Sequence, residues 1–387
     1  MEGKAPYKST RVATNMATFF DRAQAQALHD EVKNGDPTSL HPRRRSGVVL
    51  AYVLSACIYL STLVLFIGGL TLLIWTWPNW LGMIVGGALA IGGWFLLPKP
   101  RPEPDHPVLR EHVPTLYALA DDIAAALDTR PVDIIALDPD ETARFSLAGK
   151  MRPSILTIGL PLWHILRPQE RVAMIAHELA HQDNGDVARK GLIGDAMGML
   201  QSWHAFLSQP PLAGNLFWKV TVHGLYNFFA LLIQSLGTLL VRLFWSESQR
   251  AEYLADYRGS RVSGTAALIA ANDRLLHVAA YPEALFDATM QTTLSNPRYG
   301  QIFDRFATLI ADIPADKIEA TRARADAHHE DGTHPPTAYR ASFLVSHPCP
   351  PLITCDETTS EAMDAELKPL ADCVGQELVR RWEYHFN

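Results

Sequence analysis

The sequence predicts a mainly α-helical membrane protein with about four transmembrane helices and a polar domain of α+β type. Two runs without a charged residue, 48–75 and 80–97, predict the first pair of membrane helices. Apolar stretches at 191–207 and 220–245 predict the second pair. A helix of roughly 20 apolar residues crosses the hydrocarbon layer of a bilayer. The remaining segments are polar, and their apolar residues recur with the period of helices or strands.

Residues 1–46 are a polar N-terminal extension without a chemical motif, and residues 47–98 are the predicted transmembrane hairpin. An arginine triplet at 43–45 precedes the hairpin, and basic residues at 99 and 101 follow it. Because positively charged flanks stay in the cytoplasm, both ends of the hairpin are expected there. The alternative is a pair of buried core helices, but such helices rarely lack a charged face altogether.

Small residues along the second helix of this hairpin predict that it packs closely on the first helix. These residues are Gly82, Gly86, Gly87, Ala90 and Gly93.

Residues 191–246 form the second apolar pair, which we expect to span the membrane. The stretch 220–245 is long enough to do so, whereas 191–207 is marginal and contains Asp195 and His204. The alternative is a lipid-facing or cavity-lining helical hairpin within a soluble domain.

The polar domain is divided by this apolar pair into residues 99–190 and residues 247–387. In the first part, "VDIIAL" and "SILTIGL" are rich in β-branched residues and predict short strands. "RPQERVAMIAHELAHQ" predicts a strong helix, with Pro168 near its start and apolar Val172, Ile175 and Leu179 on one side. The second part is polar and helical, with proline-rich loops at "THPP" and "SHPCPP".

The segment "AHELAHQDNGD" contains the spacing of a metal site. His177 and His181 are four residues apart, so on a helix their imidazoles lie on the same face and can bind one ion. Glu178 lies beside the first histidine and can reach a metal-bound water as a general base. This HExxH arrangement is typical of zinc peptidases, in which zinc acts as the electrophile. The alternative is a pair of histidines at helical spacing by chance.

A catalytic zinc site needs a third protein ligand and an open fourth position. No histidine occurs between Gln182 and Gly191, which excludes the HExxHxxGxxH pattern. The segment "AEYLAD" contains Glu252 as a candidate ligand, with Asp256 one turn later to orient a ligand histidine. Asp186 could cap a helix or support the site. For Glu252 and Asp256, the alternative is a solvated helix carboxylate.

Taken together, "HELAHQDNGD", "SQRAEYLAD" and "THPPTAYR" resemble the HtpX-type membrane zinc metalloproteases, relatives of the CAAX prenyl proteases. The resemblance covers roughly residues 105–345. It implies a largely helical gluzincin fold with a small sheet, facing the cytoplasm from the inner (plasma) membrane. It further implies that His177, His181 and Glu252 bind Zn²⁺ and that Glu178 is the catalytic base.

The sequence departs from this family at two places. Gln249 stands where the family commonly has arginine, with Arg250 beside it. In "ARFSLAG", Ala143 occupies the position of an asparagine, while Phe145 is retained. The resemblance also brings His334 of "THPP" near the cleft, where it could stabilise the transition state; the alternative is a structural loop residue.

The expected partners are the lipid bilayer and peptide or membrane-protein substrates, above all misfolded membrane proteins. A net charge of −7 without a basic stripe argues against nucleic acid. The alternatives are a dedicated processing protease of the CAAX type, a catalytically silent zinc-bound scaffold, and a metal transporter. An intact Glu178 argues against the scaffold. A transporter should have its ligands within the spans.

Overall fold

A computed structural model describes residues 22–40, 46–98, 103–147, 153–183, 186–208, 216–294, 298–328 and 334–386. The N-terminal elements are α1 (Arg22–Lys33), a short 3-10 helix (Pro37–Leu40), α2 (Ser46–Trp75) and α3 (Trp80–Leu96). They are followed by β1 (His106–Val108), α4 (Pro114–Ala126), β2 (Ile134–Asp138), β3 (Ala143–Leu147), β4 (Ser154–Gly159) and α5 (Leu160–Ile165). The next helices are α6 (Pro168–Asp183), α7 (Asp186–Leu207), α8 (Leu216–Ser263) and α9 (Thr265–Ala280). The last are α10 (Ala284–Leu294), α11 (Gln301–Ala311), α12 (Ala315–His328), α13 (Thr337–Ser346) and α14 (Glu357–Phe386).

The chain forms two compact units, each made from separate segments. The sheet unit comprises Met1–Pro42, Arg101–Val187 and Ser248–Asn387. The helical unit comprises Arg43–Pro100 and Ala188–Glu247.

The helical unit is held together by apolar packing of α2 on its neighbours. α2 contacts α3 along much of its length. A hydrophobic cluster also joins α2 to α7 and α8. Its buried residues are Ala51, Ile58, Ile193, Ala196, Met199, Leu200, Ile233 and Leu240. Apolar side chains on the outer faces of α2, α3 and α8 are exposed, for example Trp94 and Leu231, each 63% exposed.

By length and composition, two described helices can cross a membrane: Gly47–Trp75 and Gly224–Ser263. The prediction of about four spans is therefore met in part. α3 has 17 residues, which at 1.5 Å per residue cover about 25 Å, short of the roughly 30 Å hydrocarbon core. In α7 the apolar stretch 191–207 contains the polar residues Asp195, Gln201 and His204, and α7 is not among the helices that qualify.

Three of the predicted small residues lie in the contact between α2 and α3. Gly86, Ala90 and Gly93 are buried. A Cβ added at Gly86 would overlap the backbone of Leu73, and one added at Gly93 would lie 2.7 Å from Phe66. The prediction is wrong for Gly87, where an added Cβ meets nothing within 4 Å.

This difference gives a matched pair of substitutions. We expect Gly86→Leu to separate α2 from α3 and to lower the midpoint of thermal unfolding in detergent, because overpacking costs about 1–3 kcal/mol or more. Gly87→Leu is the control, since its side chain enters open space. Thermal unfolding curves of both variants in one detergent test this. Equal midpoints for Gly86→Leu and wild type would contradict the observed packing.

The sheet unit contains a four-stranded sheet in the order β1-β2-β4-β3. β2 and β4 are parallel and central, which explains their continuous apolar sequences, and they coincide with the predicted strands. β3 is an edge strand that pairs only with β4, in antiparallel register. The short strand β1, which pairs with β2, was not predicted from the sequence.

The predicted helix around the HExxH motif is confirmed as α6. Its apolar side is fully buried: Val172, Ile175 and Leu179 are each 0% exposed. The helix begins with an N-terminal cap, since the Arg167 amide donates to Glu170 Oε2 at 2.9 Å. α6 packs on β3, α4 and α9, so its position relative to the edge strand is fixed by the core.

The C-terminal helix α14, whose role the sequence left open, is part of this core. Glu366 accepts hydrogen bonds from the amides of Thr115 and Leu116 and so caps α4. Asp364 accepts hydrogen bonds from Trp163 Nε1 and from the guanidinium of Arg171 on α6. α14 therefore holds α4, α5 and α6 together from outside the HExxH sequence.

Candidate metal centre

The side chains of two histidines lie on the same face of α6, as their spacing predicts. The imidazole centroids of His177 and His181 are 5.0 Å apart and nearly perpendicular. Both residues are buried, at 6% and 8% exposure. Glu178, between them in sequence, is less completely buried than either histidine.

α8 brings the third group to these histidines. Glu252 Oε2 lies 3.5 Å from His177 Nε2, and Glu252 Oε1 lies 3.7 Å from His181 Nε2. Gly259, two turns further along α8, permits the close approach of the helices, because an added Cβ would lie 3.2 Å from the His177 amide nitrogen. Within the described part of the chain, His177, His181 and Glu252 form a group whose candidate ligand atoms lie within 4.8 Å of one another.

This donor set fits a zinc ion. Two imidazole nitrogens and one carboxylate oxygen are a usual ligand set of catalytic zinc, with a fourth position left for water. Ligand atoms about 2.1 Å from a tetrahedral ion lie about 3.4 Å from one another. The separations of 3.5 Å and 3.7 Å are close to that value.

Asp256 and Arg340 support the first histidine. Asp256 Oδ1 lies 3.0 Å from His177 Nδ1, on the opposite side of the ring from Glu252. Arg340 donates to both oxygens of Asp256, from Nε at 2.7 Å and from Nη2 at 2.6 Å. Asp256 is 0% and Arg340 6% exposed. A buried bidentate pair of this kind fixes the carboxylate and hence the orientation of the imidazole.

The charges of this network shift the pKa of its basic groups. Burial lowers the pKa of Arg340, but the paired Asp256 outweighs this and raises it above the usual value. Burial also lowers the pKa of His177, while the contacts with Asp256 and Glu252 raise it to about 9. Since a metal binds the neutral imidazole, ion binding at His177 displaces a proton.

Glu178 contacts the edge strand. Its Oε2 accepts a hydrogen bond of 3.0 Å from the Phe145 amide. The Gly159 amide donates to Thr142 O, so residues 142, 144 and 146 direct their backbone groups toward β4. The backbone groups of Ala143, Phe145 and Leu147 therefore point to the open side of β3. The candidate base thus lies beside an unpaired strand edge.

His334 contacts the candidate ligand Glu252. Its Nδ1 lies 2.7 Å from Glu252 Oε2, and its side chain is 44% exposed. It therefore lies beside the candidate ligand group and is partly exposed to solvent, and its role as a transition-state stabiliser stays a prediction. Asp186 is the first residue of α7, and its side chain lies outside the described residues.

Gln249 and Arg250, where the sequence departs from the family pattern, are both buried, at 1% and 8% exposure. Arg250 forms an ion pair with Glu31 of α1. Arg340 is a site residue that was not predicted from the sequence. "THPPTAYR" contains it, but no spacing rule connects it with Asp256, 84 residues earlier.

We expect Asp256→Asn and Arg340→Lys to reduce zinc affinity and turnover by about 10–100-fold, the usual cost of losing a partner of a ligand histidine. Arg340→Lys removes the bidentate geometry while keeping the charge. Arg380→Lys, at a side chain 67% exposed, is the control. Zinc titration with a competing chelator measures the effect. Wild-type affinity in both site variants would show that the Asp256 network does not orient His177.

Comparison with known proteins finds one family model and several relatives that match this chain. The model of peptidase family M48 matches residues 148–347. Protease HtpX of Ectopseudomonas mendocina is 26% identical over 189 residues, covering 47% of this chain and 63% of that protein. Protease HtpX of Stutzerimonas stutzeri is 27% identical, covering 48% and 63%, and that of Pseudomonas entomophila is 28% identical, covering 48% and 62%. The chain thus spans less than two thirds of these relatives. No solved structure matches.

Proposed function

Because the chain belongs to peptidase family M48, we propose that it is a membrane-integrated, zinc-dependent endopeptidase. The resemblance to HtpX-type proteases predicted from the three motifs is confirmed by the family match and by the HtpX relatives. The matched region, 148–347, contains α6, Glu252, His334 and Arg340. The observation that supports the activity best is the position of Glu178 between the ligand group and the open edge of β3.

His177, His181 and Glu252 would hold the ion, and Asp256 would orient His177. When bound, zinc polarises the scissile carbonyl and lowers the pKa of water toward neutrality. Glu178 would take a proton from the attacking water and deliver it to the leaving amine. The Phe145 amide would keep the Glu178 carboxylate at the strand edge until a substrate is bound.

A substrate peptide in extended conformation would pair with the open edge of β3 through its main chain. The backbone groups of Ala143, Phe145 and Leu147 face that side. Since Ala143 supplies no side-chain amide, the peptide would be held there by backbone groups alone. This mode of binding favours unfolded segments over folded domains, because most backbone groups of a folded domain are already paired within its own helices and sheets.

Two apolar helices and the HtpX relatives indicate a membrane protein. We propose that it is a multi-pass protein of the inner (plasma) membrane with its catalytic residues facing the cytoplasm, as the basic residues at 43–45, 99 and 101 favour. Its proposed substrates are misfolded or damaged membrane proteins. A processing protease of the CAAX type is the second candidate, and it would instead cut short C-terminal peptides.

The decisive experiment uses the full chain in detergent with three substrates: a destabilised membrane protein, its folded parent and a prenylated C-terminal peptide. Fragments are identified by mass spectrometry with and without a chelator, and after zinc is returned. We expect chelator-sensitive cleavage of the destabilised protein. Cleavage of the prenylated peptide alone would favour the processing protease. Zinc binding without cleavage of any substrate would favour a silent scaffold.

A further inference from the structure

The N-terminal segment 22–40 lies outside the family match at 148–347, and its sequence contains no chemical motif. It nevertheless folds against the sheet unit, of which it is a part. One face of α1 and the end of the 3-10 helix are buried, at exposures of 1–6%: Ala25, Leu28, His29, Val32 and Leu40.

This segment packs on α13 and on α8, the helices that carry Arg340 and Glu252. The His29 ring stacks on Tyr339, with centroids 4.6 Å apart and planes 12° from parallel. The Tyr253 ring centroid lies 6.3 Å from that of His29. Glu31 pairs with Arg250, and His347 Nε2 lies 3.2 Å from the carbonyl oxygen of Gly35.

The two tyrosines that His29 contacts are neighbours in sequence of residues at the candidate metal centre. Tyr253 follows the candidate ligand Glu252, and Tyr339 precedes Arg340, which holds Asp256. Tyr253 is 1% exposed and packs edge-on against Phe343 of α13, with ring centroids 5.1 Å apart. His29, Tyr339, Tyr253 and Phe343 therefore form one layer of aromatic rings. Through its two tyrosines, this layer is joined in sequence to the candidate ligand Glu252 and to Arg340.

Building on the proposed zinc-dependent activity, we infer that the segment 22–40 is a positioning element of the metal centre and that His29 is its main positioning residue. The segment holds Tyr339 and Tyr253 in place, and through them Arg340 and Glu252. Metal centres depend on such outer partners, because a ligand free to rotate binds its ion less tightly. None of the contacts above involves β3, so the segment acts on the metal and not on substrate binding.

The test compares full-length wild type with His29→Ala, which removes the stacking ring, and His29→Phe, which restores a ring that can stack on Tyr339. Glu31→Gln weakens the second contact, the ion pair with the buried Arg250, by removing a charge from an exposed side chain, and the thermal unfolding midpoint shows whether the packing around Arg250 is affected. Gln26→Ala, on the exposed face of α1, is the matched control. The readouts are the rate of zinc loss to a chelator, kcat and KM on fluorescein-labelled casein, and the thermal unfolding midpoint.

In His29→Ala we expect zinc loss to be about threefold to tenfold faster, below the 10–100-fold range of direct partners of ligand histidines. Turnover should fall with KM unchanged. Glu31→Gln should show the same change to a smaller extent, and His29→Phe and Gln26→Ala should behave like wild type. If His29→Ala fails to fold, Glu31→Gln still decides whether the segment 22–40 positions the metal centre.

Unchanged zinc loss in His29→Ala and Glu31→Gln would overturn the inference, as would an equal change in Gln26→Ala or a rise in KM with kcat unchanged. Failure of the proposed function can be distinguished from failure of this inference. If wild type binds zinc but cleaves nothing, the activity is refuted, while faster zinc loss in His29→Ala would still support the positioning role.

Discussion

Replacement of Glu178 by glutamine is expected to abolish peptide hydrolysis while zinc remains bound. Glu178 lies next to the candidate ligand His177 in sequence, but its carboxylate contacts the Phe145 amide and is not part of the group of three candidate ligands. Glutamine keeps the shape of the side chain but cannot accept the proton of the attacking water. Loss of a general base costs about 10²–10⁴-fold in rate.

Zinc content and turnover should be measured on the same preparation, so that a loss of metal cannot be mistaken for a loss of the base. Glu111→Gln is the control, since its side chain is 76% exposed. If Glu178→Gln retained wild-type turnover, another group would have to act as the base. If it lost zinc as well as activity, Glu178 would be needed for metal binding, contrary to its position at the strand edge.

The parts of the site that the sequence predicted are those with helical spacing. His177, Glu178 and His181 lie within one turn of a helix, so the period alone fixes which way they point. Glu252 and Asp256 are likewise one turn apart, and in the structure they flank the same imidazole. Local geometry predicts that the members of each group share a helix face, whereas the assignment of Glu252 to the same ion as His177, 75 residues earlier, came from the family resemblance.

The parts that the sequence did not predict depend on contacts between distant segments. The hydrogen bond from Phe145 to Glu178 depends on the edge position of β3, which is set by the pairing of all four strands. Arg340 reaches Asp256 across 84 residues. The docking of His29 on Tyr339 joins the N-terminal extension to α13, and no periodicity in either segment indicates it.

The membrane spans also show how far local sequence patterns predict the structure. Apolar runs predict where a helix forms, and α2, α3, α7 and α8 all form near the expected positions. Whether a helix can cross a bilayer depends on its length and on how apolar it is. By these two criteria α2 and α8 qualify, whereas α3 has only 17 residues and α7 contains Asp195, Gln201 and His204 in its apolar stretch.

Glu252→Ala is expected to remove most of the bound zinc. Two histidines alone leave an ion with too few protein ligands, so the loss of affinity should exceed the roughly 10–100-fold cost of changing an outer partner such as Asp256. The alanine also removes the contact with His334, whose Nδ1 lies 2.7 Å from the carboxylate. Zinc per chain should be measured after dialysis against a mild chelator.

Glu361→Ala, an exposed glutamate on α14, is the control for the dialysis. Comparison with Asp256→Asn then separates ligand from supporting residue: a true ligand must lose more zinc than the residue that orients His177, because one binds the ion and the other only restricts a ring. Equal losses would mean that Glu252 acts through His334 or the histidines without binding the ion. Stoichiometric zinc in Glu252→Ala would mean that the third ligand is another residue, and the geometry of His177, His181 and Glu252 would then describe a buried ion-pair cluster.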